Sequence, residues 1–180
     1  MSIIEKSISF PLDDDGFFRR ECPLCCREFK VLLKKEELND MIQEGIDSFM
    51  IEQQENKSAP KEDDDIEYTC PYCGQLSSSN SLWTEEQNAY LKVHIENIMA
   101  KLVNENFIRP LKRNFGSSKS ELISLEFKGN EMSQKEPWIS PESNDLEIFD
   151  LPCCNRKVKI QEDWKGKVFC FFCGFPHEQK

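Results

Sequence analysis

The sequence predicts an α+β fold in which short β-strands lead into paired cysteines and two helical segments lie between the pairs. Nine cysteines fall mostly in closely spaced pairs, and short alternating segments flank those pairs. Two longer segments carry apolar residues at spacings of three and four. We therefore expect small β units held together by cysteines, a long central helix and a shorter helical insert. With 180 residues, the chain has room for one compact domain or two small ones.

The N-terminal segment is predicted to form a β-hairpin that leads into the first cysteine pair. Residues 7–12 form the first predicted strand, Asp13–Gly16 form a turn, and Phe17–Glu21 form the second strand. The Asp-Gly dipeptide in the turn favours a hairpin. The second strand then delivers the chain to Cys22-Pro-Leu-Cys25.

Two segments show the apolar periodicity of helices. The first runs from about Lys35 to Gln54, between the first two cysteine pairs. The second and longer segment runs from 84 to about 109 and opens with the capping-box pattern Thr84–Gln87. Its apolar stripe is broader than a two-stranded coiled-coil seam needs. In one interpretation the apolar stripe packs within this chain. In the other, part of the stripe binds a partner.

The C-terminal third is predicted to be rich in β-structure. Residues 121–128 alternate as a strand, and Leu146–Leu151 form another short strand before the next cysteines. Residues 156–160 and 167–169 are predicted to form a hairpin. The three predicted domains are residues 1–82, residues 83–120 with the long helix and its connector, and residues 121–180.

The apolar runs of the chain are short. None approaches the roughly 20 residues that a membrane span needs. The N-terminus also lacks the basic region and apolar core of a secretory signal. We therefore expect a cytoplasmic protein without a membrane partner. Reducing compartments keep thiols free, so this location favours metal binding over disulfides as the role of the cysteines.

The paired cysteines predict two metal sites with four thiolate ligands each. Zn²⁺ prefers four tetrahedral sulfur or nitrogen ligands. Two cysteines separated by two residues place both sulfurs on one side of the ion. The ligands of the first predicted site are Cys22, Cys25, Cys70 and Cys73, and those of the second are Cys153, Cys154, Cys170 and Cys173.

The second predicted site is irregular because its first two cysteines are adjacent. Either Cys153 and Cys154 both bind the metal, or one of them binds and Asp150 or His177 completes the shell. Eight ligands leave one cysteine over. We assign that role to Cys26, which follows the first pair at a position where many such turns carry glycine.

These motifs resemble the zinc-ribbon superfamily, whose cysteine-bearing turns, called knuckles, are of the rubredoxin type. The resemblance rests on Cys22-Pro-Leu-Cys25, Cys70-Pro-Tyr-Cys73-Gly74 and Cys170-Phe-Phe-Cys173-Gly174, and it leaves the long helix outside. It implies two structural zinc ions, although rubredoxin itself binds iron and the spacing does not decide between the two metals. Similar ribbons serve in DNA, RNA and protein binding, so the resemblance does not fix a role.

The sequence carries no pattern that predicts catalysis. It has only two histidines, His94 and His177, and it lacks a glycine-rich phosphate loop, a His-Glu-x-x-His motif and a nucleophile elbow. A catalytic zinc needs an open coordination position, which a closed set of four thiolates does not offer. We therefore expect a protein that is not an enzyme and has no small-molecule substrate.

The charge distribution leads to two hypotheses about binding. The net charge of −10 is concentrated in residues 1–75, where acidic side chains are twice as numerous as basic ones. Such a surface suits a basic protein partner. The first hypothesis is therefore a protein–protein interaction or adaptor module that binds a protein partner, or a second copy, through the helix at 84–109.

The alternative hypothesis is nucleic-acid binding through the C-terminal hairpin. Residues 150–180 carry more basic than acidic side chains, and several aromatic residues lie among them. Basic residues beside aromatic ones can contact phosphates and stack on bases. The candidate contacts are Arg156, Lys157, Lys159, Lys165 and Lys167.

Overall fold

The computed structural model describes residues 8–52, 66–115 and 129–178. These residues form helices and antiparallel sheets, which confirms the α+β class. They fall into two compact units. The cysteine unit lies within Ser9–Asn88 and Ile139–Lys180, and the main part of the helical unit is Ala89–Trp138.

The strands of the described residues all belong to the cysteine unit. One helix, α1 (Lys35–Glu52), matches the first predicted helix, and a 3₁₀ helix covers Ser79–Leu82. The strands in chain order are β1 (Phe18–Glu21), β2 (Glu28–Val31), β3 (Glu67–Thr69), β4 (Leu76–Ser78), β5 (Glu147–Leu151), β6 (Arg156–Ile160), β7 (Val168–Phe169) and β8 (Pro176–His177).

The main sheet joins strands from both ends of the chain. Its order is β1-β2-β6-β5, and β3-β4 and β7-β8 form two small separate sheets. At its centre β2 pairs with β6, with Lys30 opposite Lys159 and Val31 opposite Val158. Spacing along the sequence did not indicate this pairing. The three-domain division at residues 1–82, 83–120 and 121–180 stays a prediction.

The first predicted hairpin is wrong in one of its two strands. Residues 8–12 form no strand, and β1 pairs instead with β2 across the first cysteine pair. Pro11 lacks the N–H that a sheet ladder needs, and Phe10 is buried against the rings of Phe18 and Trp83. The predicted strand at 121–128 lies outside the described residues.

Two lysines face each other at the centre of the main sheet. Lys30 and Lys159 are almost fully buried, and their Nζ atoms lie 3.3 Å and 2.9 Å from Oδ2 of buried Asp13. Burial acts to raise the pKa of Asp13, but hydrogen bonds from Lys159, the Phe17 N–H and Lys30 hold that pKa below its usual value. Like charges directly opposite in a sheet are destabilising. Lys30 also pairs with Glu142 and Asp145, and Lys159 also pairs with Asp15. Asp13, the carboxylate that both lysines share, therefore offsets part of the repulsion between β2 and β6.

The apolar part of the cysteine-unit core draws on both halves of the chain. Full burial of one large apolar side chain stabilises a fold by about 1.5–3 kcal/mol. Because the two halves contribute comparably, neither N-terminal nor C-terminal strands have a core of their own. Besides the cysteines, the most deeply buried apolar residues are Phe17, Phe18, Phe29, Val31, Met41, Leu82, Leu151, Val158, Val168 and Phe171.

The helical unit is built on the long helix that the sequence predicts. Helix α2 (Glu85–Val103) continues through a π-helical stretch (Asn104–Ile108) into α3 (Arg109–Phe115). The π-helical stretch ends two residues before Pro110, whose ring would clash with a carbonyl of the preceding turn in a regular α-helix. In the described parts of the chain, no helix combines the length and apolarity needed to cross a membrane.

The start of α2 confirms the predicted capping box. The Thr84 hydroxyl accepts a hydrogen bond from the Gln87 N–H at 3.2 Å, and the Gln87 side-chain oxygen accepts one from the Thr84 N–H at 3.0 Å. Two backbone donors that a helix start leaves unpaired are thereby satisfied. The Gln87 amide also donates to the carbonyl of Arg19 in β1, which ties the helix start to the sheet.

Candidate metal centres

The first four cysteines converge from two turns of the cysteine unit. Cys22 and Cys25 lie in the turn between β1 and β2, and Cys70 and Cys73 lie in the turn between β3 and β4. We call these four residues the first centre. Their Sγ atoms all lie within 4.8 Å of one another. The distance is 3.8 Å from Cys22 to Cys73 and 3.7 Å from Cys25 to Cys70.

This donor set fits one tetrahedral ion. A tetrahedron with Zn–S bonds of about 2.3 Å has edges of about 3.8 Å, which matches the sulfur–sulfur distances in the first centre. Soft thiolate ligands favour zinc or iron over harder cations. The residues that would hold the ion are thus already arranged for it by the two turns.

The thiols of the first centre differ in acidity because the fold treats them differently. Burial raises the pKa of Cys70 strongly and that of Cys25 to about 11. Burial acts on Cys22 too, but backbone N–H groups of Cys25 and Leu24 donate to its sulfur, and its pKa is lowered. Metal ligands must be deprotonated, so metal binding at this centre releases protons.

The second centre consists of Cys153, Cys154, Cys170 and Cys173. The first two lie in the turn between β5 and β6, and the other two lie between β7 and β8. Their sulfurs also lie within 4.8 Å of one another, with 3.6 Å between Cys153 and Cys173. The structure therefore brings both adjacent cysteines into one four-sulfur cluster, which fits a second tetrahedral ion.

The two alternative ligands for the second centre lie outside that cluster. The side chain of Asp150 is 78% exposed and lies 3.7 Å from the Lys157 ammonium. The Nε2 atom of His177 lies 3.2 Å from the sulfur of Cys153. A histidine in this position suits a hydrogen bond to a metal-bound thiolate, because partners behind the ligands orient them and tune the metal.

The thiols of the second centre also differ in acidity because their hydrogen bonds and surroundings differ. The backbone N–H of Phe175 and the thiol of Cys154 lower the pKa of exposed Cys173 to about 7. Partial burial raises the pKa of Cys153 to about 12, and neighbouring Cys170 and Cys173 add to that rise. Cys173 thus becomes a thiolate more readily than Cys153 or Cys154.

The knuckles that carry Cys70–Cys73 and Cys170–Cys173 are joined reciprocally. The N–H of Thr69 donates to the carbonyl of Phe171 at 3.0 Å, and the N–H of Phe169 donates to the carbonyl of Pro71 at 2.9 Å. In each bond the residue before a knuckle meets the second residue of the other knuckle. The two centres are therefore related by an internal two-fold pattern.

Glycines make this close approach possible. Gly74 and Gly174 follow the last cysteine of their knuckles with φ of 71° and 72°. A Cβ at Gly74 would lie 2.9 Å from the Phe169 ring, and one at Gly174 would lie 3.2 Å from the Thr69 hydroxyl. Both positions therefore need glycine for its conformation as well as for its size.

The two hairpins of the main sheet repeat the same pattern with one difference. Cys26 (φ 54°) and Asn155 (φ 51°) both follow a cysteine in the left-handed region. In the first hairpin, the residue three positions before Cys25 is the ligand Cys22. In the second hairpin, the residue three positions before Cys154 is Leu151, which is fully buried. Cys153 therefore supplies the ligand that Leu151 does not. Cys26, the cysteine predicted to be spare, is exposed and belongs to neither cluster.

The five basic residues predicted to contact nucleic acid are not brought together on one free surface. The prediction is wrong for Lys159, because its ammonium is buried between Asp13 and Asp15. Arg156 donates to both carboxylate oxygens of Glu37, at 3.0 Å and 2.6 Å. Lys157, Lys165 and Lys167 have exposed side chains.

Comparisons of the chain with protein-family models, with curated proteins and with solved structures found no match in any of the three. The class that fold and site define therefore rests on the cysteines themselves. Their two four-cysteine clusters each fit one metal ion, an arrangement loosely consistent with zinc-ribbon units.

Proposed function

We propose that the protein is a non-catalytic adaptor in which two zinc ions hold the cysteine unit while other surfaces bind a partner protein. The observation that carries this proposal is the convergence of eight cysteine sulfurs into two sets of four, with the sulfurs of each set within 4.8 Å of one another. Four thiolates around one zinc leave no coordination position for a substrate or a reactive water. Zinc in such centres serves folding rather than chemistry.

The sizes of the strands explain why the fold would need the metal. Strands β3 and β4 have three residues each, and β7 and β8 have two each. Isolated two-stranded hairpins are marginally stable at best in water. Structural zinc contributes on the order of 10 kcal/mol to small domains that require it. This contribution is sufficient to fix both knuckle hairpins.

Exposed apolar side chains on the long helix support the adaptor role. Met99, Leu102 and Phe107 are 40%, 39% and 63% exposed. They belong to the stripe whose earlier members, Leu91 and Ile95, are buried. The stripe thus changes from a packed to an exposed surface along the helix, and large exposed apolar patches commonly mark protein interaction sites.

Two measurements on the full chain test this proposal. Native mass spectrometry of protein expressed in a reducing cytosol is expected to show two zinc ions per chain, and fewer than two ions would contradict the scaffold. Affinity capture is expected to recover a specific protein with the wild type but not with Phe107→Ser. Lys92→Ser, which also truncates a large exposed side chain of the same helix, is the matched control. Equal recovery with both variants would contradict the role of the helix surface.

The nucleic-acid alternative now depends on three exposed lysines. A gel shift that weakens steeply with salt and disappears in Lys157→Glu/Lys165→Glu would support it. Lys135→Glu, in the helical unit, is the control. If no shift occurs at low salt, the alternative is rejected and the adaptor proposal is unaffected.

A further inference from the structure

In the helical unit an extended segment runs along the long helix in the opposite direction. We call residues 129–138 the strap. The strap lies beside α2 and the π-helical stretch, so that Glu131 pairs with Arg109 at 3.1 Å while Lys135 pairs with Glu96 at 3.0 Å. No regular secondary structure occurs in the strap.

Two asparagines of the helix bind the backbone of the strap. The side-chain amide of Asn104 donates to the Met132 carbonyl at 2.8 Å and accepts from the Met132 N–H at 2.8 Å. Asn97 makes the same pair of bonds with Lys135, at 2.7 Å and 2.8 Å. Each asparagine thus satisfies both backbone groups of one strap residue, as a neighbouring β-strand would.

The spacing of these contacts matches an extended chain. Asn97 and Asn104 are seven residues apart, which is two helical turns on one face and about 10 Å at 1.5 Å per residue. Met132 and Lys135 are three residues apart, which is also about 10 Å at 3.3 Å per residue of extended chain. Both asparagines can therefore bind one extended peptide at the same time.

Recognition of the strap depends on its backbone and on two charges. The side chains of Met132, Lys135 and Trp138 are 51–71% exposed, so the strap buries little apolar surface. The two ion pairs are at the surface, where such pairs contribute little. A segment with few buried contacts opens easily, and another extended peptide could make the same hydrogen bonds.

The surface under the strap is not filled by it. A cavity of about 560 Å³ lies between helix and strap, lined by Ile98, Lys101 and Glu105 on the helix and by Gln134 and Pro137 on the strap. Asn104, which is 7% exposed, lies at the start of the π-helical stretch. Such stretches inside α-helices are frequently found at functional sites.

We propose that this helix face is a groove for an extended peptide of a partner protein, and that the strap occupies the groove until that peptide replaces it. The partner segment carries an acidic residue in the place of Glu131 and a basic residue four positions later, facing Arg109 and Glu96. It has no proline at the two positions that the asparagines bind. This inference rests on the proposed adaptor function and specifies the kind of partner.

The test uses a fluorescently labelled peptide with the strap sequence 129–138 and the zinc-loaded full chain. Met132→Pro/Lys135→Pro removes the two N–H donors of the strap and leaves both asparagines free. Fluorescence anisotropy is expected to show at least tenfold tighter peptide binding to this variant than to the wild type, because an occupied groove lowers the apparent affinity.

Changes in the helix identify where the peptide binds. Asn97→Ala/Asn104→Ala in the same background is expected to abolish peptide binding. Asn106→Ala is the matched control, since its amide donates to the Leu102 carbonyl within the helix. A peptide with proline at its 132 and 135 positions is expected not to bind. Absent binding to the opened variant, or unchanged binding after the double asparagine change, would overturn the proposal.

Folding of the variants is checked by helical circular dichroism and by zinc content. If Met132→Pro/Lys135→Pro loses helix, hydrogen exchange of the backbone amides in the wild type is measured instead. Excess unlabelled peptide is expected to speed exchange at Met132 and Lys135. Unchanged exchange would overturn the proposal. If the peptide does not bind but the protein still holds two zinc ions and still captures its partner through Phe107, only the groove proposal is rejected. Loss of those two properties in the wild type rejects the adaptor function itself.

Discussion

The two four-cysteine centres share one arrangement of strands and knuckles but differ in exposure. Cys22 and Cys70 are buried in the first centre, whereas Cys170 is the one buried cysteine of the second. Cys153 and Cys173 are exposed. Access by solvent governs how readily thiols meet oxidants and chelators. The same donor set can thus be sealed into a fold at one place and left accessible at another.

One position accounts for much of this difference. The first hairpin has Cys22 as the first member of its pair, but the second has Leu151, whose side chain belongs to the core. Its fourth ligand comes instead from Cys153, nearer the surface and 3.2 Å from His177. At the position where the first hairpin has a buried ligand, the second has a core side chain, and its ligand lies nearer the surface.

The largest expected effect concerns the first centre. Cys70→Ser removes a buried ligand, so the ion is lost and stability falls by up to about 10 kcal/mol, enough to unfold the cysteine unit. Zinc content and urea unfolding measure this loss. Cys26→Ser, an exposed cysteine outside both clusters, should stay within about 0.5 kcal/mol of the wild type. A folded Cys70→Ser protein with two ions would contradict the structural role of this centre.

A second prediction concerns the sheet that joins the two hairpins. Asp13→Asn removes the one carboxylate that Lys30 and Lys159 share. Lys30 keeps Glu142 and Asp145, and Lys159 keeps Asp15, so the expected cost is that of lost hydrogen bonds to charged groups, about 1.5–3 kcal/mol. Denaturant unfolding measures the loss, with exposed Asp14→Asn as the control. If both variants unfold alike, the pairing of β2 with β6 does not depend on the buried carboxylate.

The pH dependence of the unfolding free energies of the wild type and Asp13→Asn tests the role of this carboxylate further. The pKa of Asp13 is lowered in the folded protein. Its contribution to stability is therefore fully present above its ordinary pKa of about 3.9 and is lost as pH falls through the lowered folded value. The difference in unfolding free energy between wild type and Asp13→Asn is expected to be constant near neutral pH and to shrink in acid. A constant difference down to low pH would contradict the assignment.

The third prediction compares metal release directly. A chromogenic chelator is expected to remove zinc in two phases, with the faster phase from the exposed second centre. A tenfold difference in rate corresponds to about 1.4 kcal/mol in activation free energy. Cys173→Ser should abolish the fast phase and leave the slow one. A single phase of zinc release in the wild type would contradict the predicted difference in accessibility between the two centres.

The smallest effect tests the origin of that contrast. Leu151→Cys/Cys153→Ser gives the second hairpin the regular spacing of the first. We expect slower zinc release from the second centre, approaching the rate of the first, because the new ligand comes from a buried position. Cys153→Ser alone is the control and, like Cys173→Ser, should lose the zinc of the second centre. Unchanged rates in the double variant would show that Leu151 does not set the exposure.

Local chemistry made much of the fold predictable. The cysteine pairs, α1 and the Thr84 capping box depend on residues close together in sequence, and the structure has them where the sequence predicts. The burial of Lys159 was not predictable in this way. Alternation in β6 places Lys157 and Lys159 on one face, which is typical of a solvated face. β6 is a central strand, and Asp13 from the N-terminal part of the chain contacts Lys159. This face is therefore buried at Lys159.

The strap contacts also escape sequence reasoning. Asparagines on a helix are common, and nothing near Asn97 or Asn104 marks them as ligands of a backbone. Their separation of seven residues is the one signal, and it acquires meaning only when an extended segment lies alongside. Spatial neighbours, and not residue type, decide such contacts.

The buried carboxylate between two lysines also constrains the order in which the chain can fold. Asp13 and Lys30 are close in sequence, so their ion pair can form early, whereas Lys159 lies 146 residues beyond Asp13. During synthesis β6 emerges from the ribosome long after β1 and β2. The main sheet can therefore be completed only when nearly the whole chain is available. A nascent chain stopped before β6 keeps the edge of β2 open, with one ammonium group already neutralised.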